Sequence, residues 1–571
     1  MSGNNRGFLP TSKKEVEQLG WDYIDVIIFS GDAYIDHPSF GSAVIGRVLE
    51  SAGYRVAIVP QPNWRDDLRD FKKLGKPRLF FGVNSGAMDS MVNHYTAAKR
   101  LRSNDAYTPD GRAGQRPDYA VTVYTRILKE LYPDTPVIIG GIEASLRRLT
   151  HYDYWQDKLL PSILIDSGAD ILTYGMGERS TIEIAGILSN GGSVDGLKDI
   201  PQIGYISEDK ATGSTILASY EDMVGSKRVF AENFRIVERE SNKYTPSHMD
   251  EPYGDKFVHI NPPYEILPDG GIDASYDLPY MRVPHYRYKG KHIPAYEMIK
   301  FSINIHRGCF GSCAFCTISA HQGKMIQSRS RDSILKEVES VVKMEGFKGY
   351  ISDLGGPSAN MYGMAGKNPD ICRKCVKESC VYPNICRNLN YSHAAMLNLY
   401  KEVDSVKGVK KSFVSSGIRY DLFMDKDGYL DNCGKEYFKE VVINHTSGRL
   451  KVAPEHTEEH VLRAMGKPSF LLFGKLKQEF DKLNKFFDKS YQIVPYFISS
   501  HPGCMMGDMR KLAENPILRG VKLEQVQDFT PTPMTRSSAS YYSGYDIMTM
   551  KSIFVERSIE KKKRQKSFFL L

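Results

Sequence analysis

Residues 301–316 read FSINIHRGCFGSCAFC, and this stretch decides both the fold and the chemistry that the sequence predicts. Residues 301–305 form a predicted β-strand that runs directly into a loop carrying Cys309, Cys313 and Cys316. Three thiols in C-x3-C-x2-C spacing can hold one metal centre from a single loop, and a closed four-cysteine site uses one more. The loop therefore predicts a metal centre with an open coordination position. The alternatives are a zinc site or ordinary core cysteines.

The segments after this loop repeat a strand-then-helix pattern. The predicted strands are 301–305, 349–352, 411–415, 449–453, 493–498 and 523–529. Six strands in βα alternation predict a full or partial (β/α) barrel over residues 296–540, with its working face at the carboxyl ends of the strands. The cysteine loop leaves the first strand at that face.

Residues 1–190 show a similar alternation of apolar strands and helical patterns, which predicts an N-terminal Rossmann-like parallel sheet and an α/β fold class. Glycine turns such as Gly140–Gly141 and Gly175–Gly177 follow several strands, where ligands bind in open α/β sheets. For any one of them a tight turn is a sufficient explanation. Residues 191–295, rich in Pro and Tyr, predict an ordered connector. Residues 541–571 predict a basic C-terminal tail, in which the run 561–566 is expected to be solvated and mobile.

Composition and charge narrow the setting of the protein. The chain has 571 residues, a formal net charge of +8 and nine cysteines. The start of the chain has no apolar signal core, and no run of about 18 apolar residues occurs, so we expect a cytoplasmic protein with no membrane partner. An odd number of clustered cysteines in such a chain indicates metal binding rather than disulfides. The positive charge allows a polyanionic partner such as RNA without showing one.

A second cysteine group follows the first by about sixty residues. Cys372, Cys375, Cys380 and Cys386 have C-x2-C-x4-C-x5-C spacing, and four thiols suffice to close either a zinc site or an auxiliary iron–sulfur cluster. The spacing does not separate these two, and free buried thiols are the remaining alternative. Cys433 and Cys504 are isolated, and the sequence assigns them no role.

Longer strings of the sequence resemble one family. Residues 304–311 (NIHRGCFG), 353–362 (DLGGPSANMY), 452–457 (VAPEHT) and 495–503 (PYFISSHPG) are similar to the YgiQ-type radical S-adenosylmethionine (SAM) proteins. The resemblance implies a [4Fe-4S] cluster on the three cysteines of the first loop, with SAM on the fourth iron. It further implies reductive cleavage of SAM to a 5′-deoxyadenosyl radical that acts on a substrate not named by the sequence. A reducing donor such as flavodoxin or ferredoxin would supply the electron.

The same resemblance implies roles for five further residues. Phe315 would lie against the adenine, and Gly355 and Gly356 near the SAM amino group, where Pro357 replaces the usual acidic residue. Arg419 would meet the SAM carboxylate and Glu455 the ribose hydroxyls. An ion pair within the barrel is the alternative role for both charged side chains.

The N-terminal half is similar in layout to the cobalamin-binding domains of other radical SAM enzymes, but cobalamin is not expected from the sequence. Residues 35–41 read IDHPSFG, whereas cobalamin-binding domains of radical SAM enzymes often carry Asp-x-His-x-x-Gly in this loop.

Two other functions stay open from the sequence alone. One is a radical SAM methyl- or methylthio-transferase acting on RNA or protein, and the other is a zinc-dependent nucleic-acid-binding protein without catalysis.

Overall fold

A nine-stranded sheet forms the first half of the molecule in the computed structural model, which describes residues 7–569. The strands of this half are β1 Val26–Ser30, β2 Val56–Pro60, β3 Phe80–Asn84, β4 Val137–Ile139, β5 His151–Asp153, β6 Lys158–Leu160, β7 Ile171–Thr173, β8 Ile203–Ser207, β9 Thr215–Ile216, β10 Met249–Tyr253 and β11 Lys256–Ile260. The helices are α1 Lys13–Gln18, α2 Gly41–Ser51, α3 Arg69–Lys72, α4 Ser90–His94, α5 Ala120–Leu131, α6 Gly141–Leu146, α7 Ile163–Ser167, α8 Glu178–Ser189, α9 Tyr220–Gly225, α10 Lys227–Asn242 and α11 Asp273–Tyr276. The expectation that the start of the chain has no apolar signal core rests largely on residues 1–6, which lie outside the described residues.

The strand order of the sheet is β2-β1-β3-β4-β7-β8-β11-β10-β9. The first five strands run parallel, and β1 and β2 are buried along their whole length. Helices cover both faces of a parallel sheet, which explains why these strands are continuously apolar rather than alternating. The predicted Rossmann-like parallel sheet is confirmed.

The segment 191–295 differs from the connector that the sequence predicted. It supplies β8–β11, which extend the sheet, and β7–β8, β8–β11 and β10–β11 pair antiparallel. Helices α9–α11 belong to the same segment. A hairpin with Pro252 in one strand lacks the strand-helix alternation by which the parallel part was identified, so the sequence pattern did not reveal it.

The second half of the molecule is an open barrel. Its strands are β12 Ser302–Asn304, β13 His306–Arg307, β14 Gln327–Ser328, β15 Tyr350–Ile351, β16 Asp353–Gly355, β17 Ala365–Gly366, β18 Leu389–Asn390, β19 Lys411–Ser412, β20 Arg449–Glu455, β21 Gln492–Ser499 and β22 Gln525–Asp528. Its helices are α12 Pro294–Ile299, α13 Ile318–Gln322, α14 Arg331–Val342, α15 Pro369–Arg373, α16 Ala394–Ser405, α17 Asn432–Asn444, α18 Glu459–Met465, α19 Phe470–Phe486, α20 Met506–Ala513, α21 Arg536–Ser543 and α22 Ile559–Ser567.

Parallel pairing follows the chain around this half. β12 pairs with β16, β15 with β19, and β20, β21 and β22 pair in succession, while a bridge from Ile418 to Val452 joins the two groups. Within residues 7–569 no pairing joins β22 back to β12. The six strand segments predicted from the sequence therefore form a partial (β/α) barrel, and the carboxyl ends of its strands share one face.

The C-terminal segment is docked rather than mobile. Helix α22 carries Lys562, which is 3% exposed and donates to the hydroxyl of Tyr541 at 2.9 Å, and Gln565, which is fully buried. The sequence prediction of a solvated tail was therefore wrong for this helix. Lys562 and Gln565 lie on one face of the helix and pack inward, which a run of basic residues does not indicate.

The two halves share apolar surface. Phe529, Met534, Ala539, Tyr541 and Ile547, all at or beyond the last barrel strand, belong to the core of the first half. Phe315 and Ile498 pack against the cores of both halves. No helix among the described residues is both long and apolar enough to cross a membrane.

Candidate metal centre

The cysteine loop begins where β13 ends, at the carboxyl face of the barrel. Gly308 has φ +86°, and a Cβ there would lie 2.1 Å from the carbonyl oxygen of Met325. Only glycine fits this close approach, which turns the chain so that the Cys309 amide donates to the Gly323 carbonyl at 3.2 Å. Cys309 is buried, and Cys313 and Cys316 are half-buried. The backbone therefore brings the three predicted thiols together on one loop.

The three sulfurs of this loop do not all lie within 4.8 Å of one another. A tetrahedral zinc ion with bonds of about 2.3 Å holds its sulfurs about 3.8 Å apart. Among the described residues, only Glu458, His460 and Asp508 bring three potential ligand atoms within 4.8 Å of one another. The cysteine sulfurs of the loop are more widely spread, as they are when each thiolate binds a different iron of a cluster.

Arg419 lies beside the thiols. Its Nη1 is 3.4 Å from the Cys313 sulfur, and its Nε donates to Asp421 Oδ1 at 3.1 Å. Burial raises the pKa of the Cys309 thiol, and the positive charge of Arg419 opposes that shift. The ion pair that the sequence left as an alternative is present, and it holds the guanidinium against the cysteine loop.

Gly355 and Gly356 lie at the carboxyl end of β16, next to the loop. A Cβ on Gly356 would lie 2.5 Å from His306 Nε2, and a Cβ on Gly355 would lie 3.2 Å from Asp353 Oδ1. His306 is itself fixed by a hydrogen bond of 2.9 Å to the Ser358 carbonyl. Packing against His306, which precedes the loop, therefore requires Gly356 to lack a side chain, and Gly355 has little room for one.

Glu455 ends β20 in the left-handed region, with φ +68°. A non-glycine residue held there stores about 1–3 kcal/mol of strain, a feature that clusters at functional sites. Its carboxylate lies 3.7 Å from Lys467, and burial raises its pKa. Its charge also contributes to raising the pKa of Cys316, mainly an effect of burial, to about 12. The carboxylate thus lies on the same face as the thiols.

Phe315 is partly buried where the two halves meet. Its ring lies edge-on to His501, with the centroids 6.1 Å apart. The structure therefore brings all eight predicted residues of the first site to one end of the barrel.

A cavity of about 350 Å³ lies at the carboxyl edge of the parallel sheet and faces the same end of the barrel. Its lining includes Asn84, Gly140, Gly141, Gly177, Arg307 and His321. Arg307 directly precedes the cysteine loop and donates to Glu178 of α8 at 2.5 Å. The sequence analysis did not identify Arg307 and Glu178 as a pair. The glycine turns indicated the edge of this cavity, but a tight turn was a sufficient explanation for each of them alone.

The chain matches known proteins over almost its whole length. The family model described as Radical SAM N-terminal matches residues 8–302. A UPF0313 protein of Bacteroides thetaiotaomicron is 56% identical over 98% of this chain and 93% of its own length. The UPF0313 protein YgiQ of Salmonella typhimurium is 43% identical over 94% of this chain and 81% of its own.

The chain belongs to the UPF0313 family. The resemblance to YgiQ-type proteins is confirmed by these identities, and membership makes the chain an enzyme of the radical SAM class. The alternative of a non-catalytic zinc protein is therefore set aside. Family membership carries no substrate.

The expectation against cobalamin was wrong. One solved structure with a likeness to this chain is the radical SAM methyltransferase TsrM from Kitasatospora setae with cobalamin and a [4Fe-4S] cluster bound, at TM-score 0.47, 14% identity, 90% of this chain and 77% of that chain. Another is the cobalamin-dependent enzyme OxsB with aqua-cobalamin and SAM bound, at TM-score 0.47, 10% identity, 97% of this chain and 57% of that chain. Residues 35–41 lie between β1 and the start of α2, and the spacing within one loop does not decide whether the cofactor binds. The likeness assigns no cobalamin to this chain.

Proposed function

We propose that this enzyme binds a [4Fe-4S] cluster through Cys309, Cys313 and Cys316 and acts on SAM there. The observation that carries the proposal is a loop of three free thiols, not all within 4.8 Å of one another, with a buried guanidinium beside them. With SAM on its open iron, such a cluster supplies the one-electron reductive cleavage of the sulfonium to methionine and a 5′-deoxyadenosyl radical.

The side chains around the loop would hold and orient SAM. Asp421 occupies one edge of the Arg419 guanidinium and leaves Nη1 directed at the loop, where a carboxylate can accept from it. Because Pro357 stands in place of an acidic residue, the backbone carbonyl of Gly356 would accept from the amino group, since that of Gly355 already accepts from the Ile305 amide at 2.9 Å. Glu455 would accept from the ribose hydroxyls.

The burial of these groups supports a reaction that excludes water. Arg419, Asp421 and Glu455 are each less than 10% exposed, and Phe315 closes the site where the two halves meet. An open site would quench a carbon radical with solvent-derived hydrogen donors, so a closed one is the expected architecture. The electron would come from a low-potential donor of the flavodoxin or ferredoxin type.

The test is anaerobic reconstitution with iron and sulfide, followed by dithionite and SAM. We expect 5′-deoxyadenosine from the wild type and background levels from Cys313→Ala. Cys433→Ala is the matched control, because Cys433 is a half-buried free cysteine that belongs to neither cysteine group, and it should equal the wild type. Absence of product from the wild type, or equal product from Cys313→Ala, would refute the proposal.

A further inference from the structure

The second cysteine group lies against the first loop. Ser379 Oγ donates to the carbonyls of Phe310 and Gly311 at 2.9 and 3.1 Å, and the Cys380 amide donates to the Phe310 carbonyl at 3.4 Å. Cys380 and Cys386 pack against the same apolar cluster that contains Cys309. The segment that carries the four cysteines is therefore built onto the SAM-cleaving site rather than hanging free.

The four cysteines lie on one short stretch of the chain. The Cys375 amide donates to the Cys372 carbonyl at 2.9 Å, and the Cys386 amide donates to the Cys380 carbonyl at 2.8 Å. The Leu389 amide donates to the Cys386 carbonyl at 2.9 Å, and the side chain of the preceding Asn388 reaches the Cys372 sulfur, which brings the two pairs together. The chain thus gathers four sulfurs into one neighbourhood, and all four are free rather than paired as disulfides.

Polar groups around these sulfurs suit thiolates. Asn388 Nδ2 lies 3.3 Å from the Cys372 sulfur, and the Lys377 amide lies 3.4 Å from the Cys375 sulfur. Lys324, only 5% exposed, donates to the Asn242 carbonyl at 3.3 Å and to the Lys377 carbonyl, so a buried ammonium lies beside the cysteine segment. A buried ammonium needs nearby negative charge, and thiolates bound to metal supply it.

Sulfur spacing distinguishes the kind of metal. As in the first loop, no three of these sulfurs lie within 4.8 Å of one another in the described chain. One zinc ion would draw all four to about 3.8 Å, whereas a cluster distributes them over separate irons. We propose that Cys372, Cys375, Cys380 and Cys386 hold a second iron–sulfur cluster, fully ligated by protein and therefore without a position for SAM.

The test uses the full chain, reconstituted anaerobically, with iron, zinc and acid-labile sulfide measured per chain. The wild type should hold about eight irons, and a variant with Cys309, Cys313 and Cys316 changed to Ala should keep about half of them. A variant with the four cysteines of the second group changed to Ala should also keep about half. Cys433→Ala should keep all.

Electron paramagnetic resonance of the dithionite-reduced variants provides a readout that does not depend on turnover. The variant lacking the first three cysteines should give a cluster signal unchanged by SAM, because no iron is open. Lys324→Met, added to the variant lacking the first three cysteines, should shift the midpoint potential of that signal, because a buried positive charge beside the thiolates is lost. Its iron content should stay at the level of the parent variant.

Three results would overturn the inference: zinc in the second group, no metal there in a wild type that holds about four irons, or a signal that SAM perturbs in the variant lacking the first three cysteines. The inference goes beyond the proposed function and fails separately from it. If that variant keeps its iron while the wild type makes no 5′-deoxyadenosine, only the proposed function fails. If the wild type makes 5′-deoxyadenosine with four irons per chain, only the second cluster fails.

Discussion

Gly308 sets the position of the first thiol. Its φ is +86°, and a Cβ at this position would lie only 2.1 Å from the Met325 carbonyl oxygen, which leaves no room for a side chain one residue before Cys309. Because the obstacle is backbone, the neighbour cannot rotate away. The loop must instead deform to accept any substitution.

Gly308→Ala should therefore lose most of the iron of the first cluster while the rest of the fold persists. The strain of a left-handed alanine is about 1–3 kcal/mol, and relieving it displaces Cys309. Iron per chain after reconstitution and the far-ultraviolet circular dichroism spectrum measure the two parts of the prediction. Gly417→Ala is the matched control, since nothing lies within 4 Å of its Cβ position. Equal iron in both variants would contradict the argument.

At the residue scale, the sequence predicted the functional side chains that belong to a local motif. It did not predict those whose role depends on contact with a residue far away in the sequence. The three loop cysteines carry their signal within eight residues. Arg307 and Glu178 are 129 residues apart, and neither has a motif of its own. Their contact exists only once the two halves pack together.

At the element scale, helix α22 fastens the end of the barrel. Gln565 Oε1 accepts hydrogen bonds of 3.0 Å from both the amide and the hydroxyl of Ser500. Ser500 follows β21 in the left-handed region, with φ +58°. The helix thus stabilises a strained turn at the carboxyl end of a barrel strand.

Gln565→Ala should loosen that turn. Two buried donors would lose their acceptor, at a cost of about 1–3 kcal/mol, which corresponds to roughly 5- to 150-fold faster amide exchange in a peptide spanning residues 499–504. Hydrogen–deuterium exchange with mass spectrometry measures it directly. Lys561→Ala changes an exposed residue of the same helix and should leave the rate unchanged. An unaltered rate in Gln565→Ala would show that the helix does not hold the turn.

Elements with regular βα alternation were predictable, and the exceptions share a cause. The barrel strands appear because each lies between helical patterns, whereas β10 and β11 form a hairpin without an intervening helix. Helix α22 was obscured because its buried side chains are Lys and Gln. Their burial depends on hydrogen-bond partners that no local pattern encodes.

At the scale of the whole molecule, stability should fall on mild acidification. Burial lowers the pKa of six imidazoles to about 3 or 4, well below the usual 6.5: His151, His306, His321, His393, His456 and His501. Below pH 6.5 these imidazoles bind protons in the unfolded chain but stay neutral in the folded chain. Each imidazole therefore lowers the free energy of unfolding by on the order of 2 kcal/mol at pH 5.

Four buried carboxyls act in the opposite direction, because burial raises the pKa of Asp32, Glu143, Glu251 and Glu455. Burial raises the pKa of Asp32 to about 6 and that of Glu251 to about 7, so these groups favour the folded state as the pH falls from 7. The six imidazoles, together with His37, whose pKa burial also lowers, outnumber these four carboxyls and leave a net loss. The apparent melting temperature of metal-free protein should drop between pH 6.5 and pH 5. His460→Gln, at a half-exposed position, should leave the drop unchanged, and a flat profile would contradict the prediction.

The return of residues 529–547 to the core of the first half has a consequence for how the protein is made. A ribosome adds about 5–20 residues per second, so roughly 15–60 s separate synthesis of the last sheet strand, β11, from synthesis of the side chains that complete its core. During that interval the nascent sheet exposes an apolar surface. A gene cut between the two halves would make that exposure permanent, and the separated N-terminal half should aggregate or remain bound to chaperones.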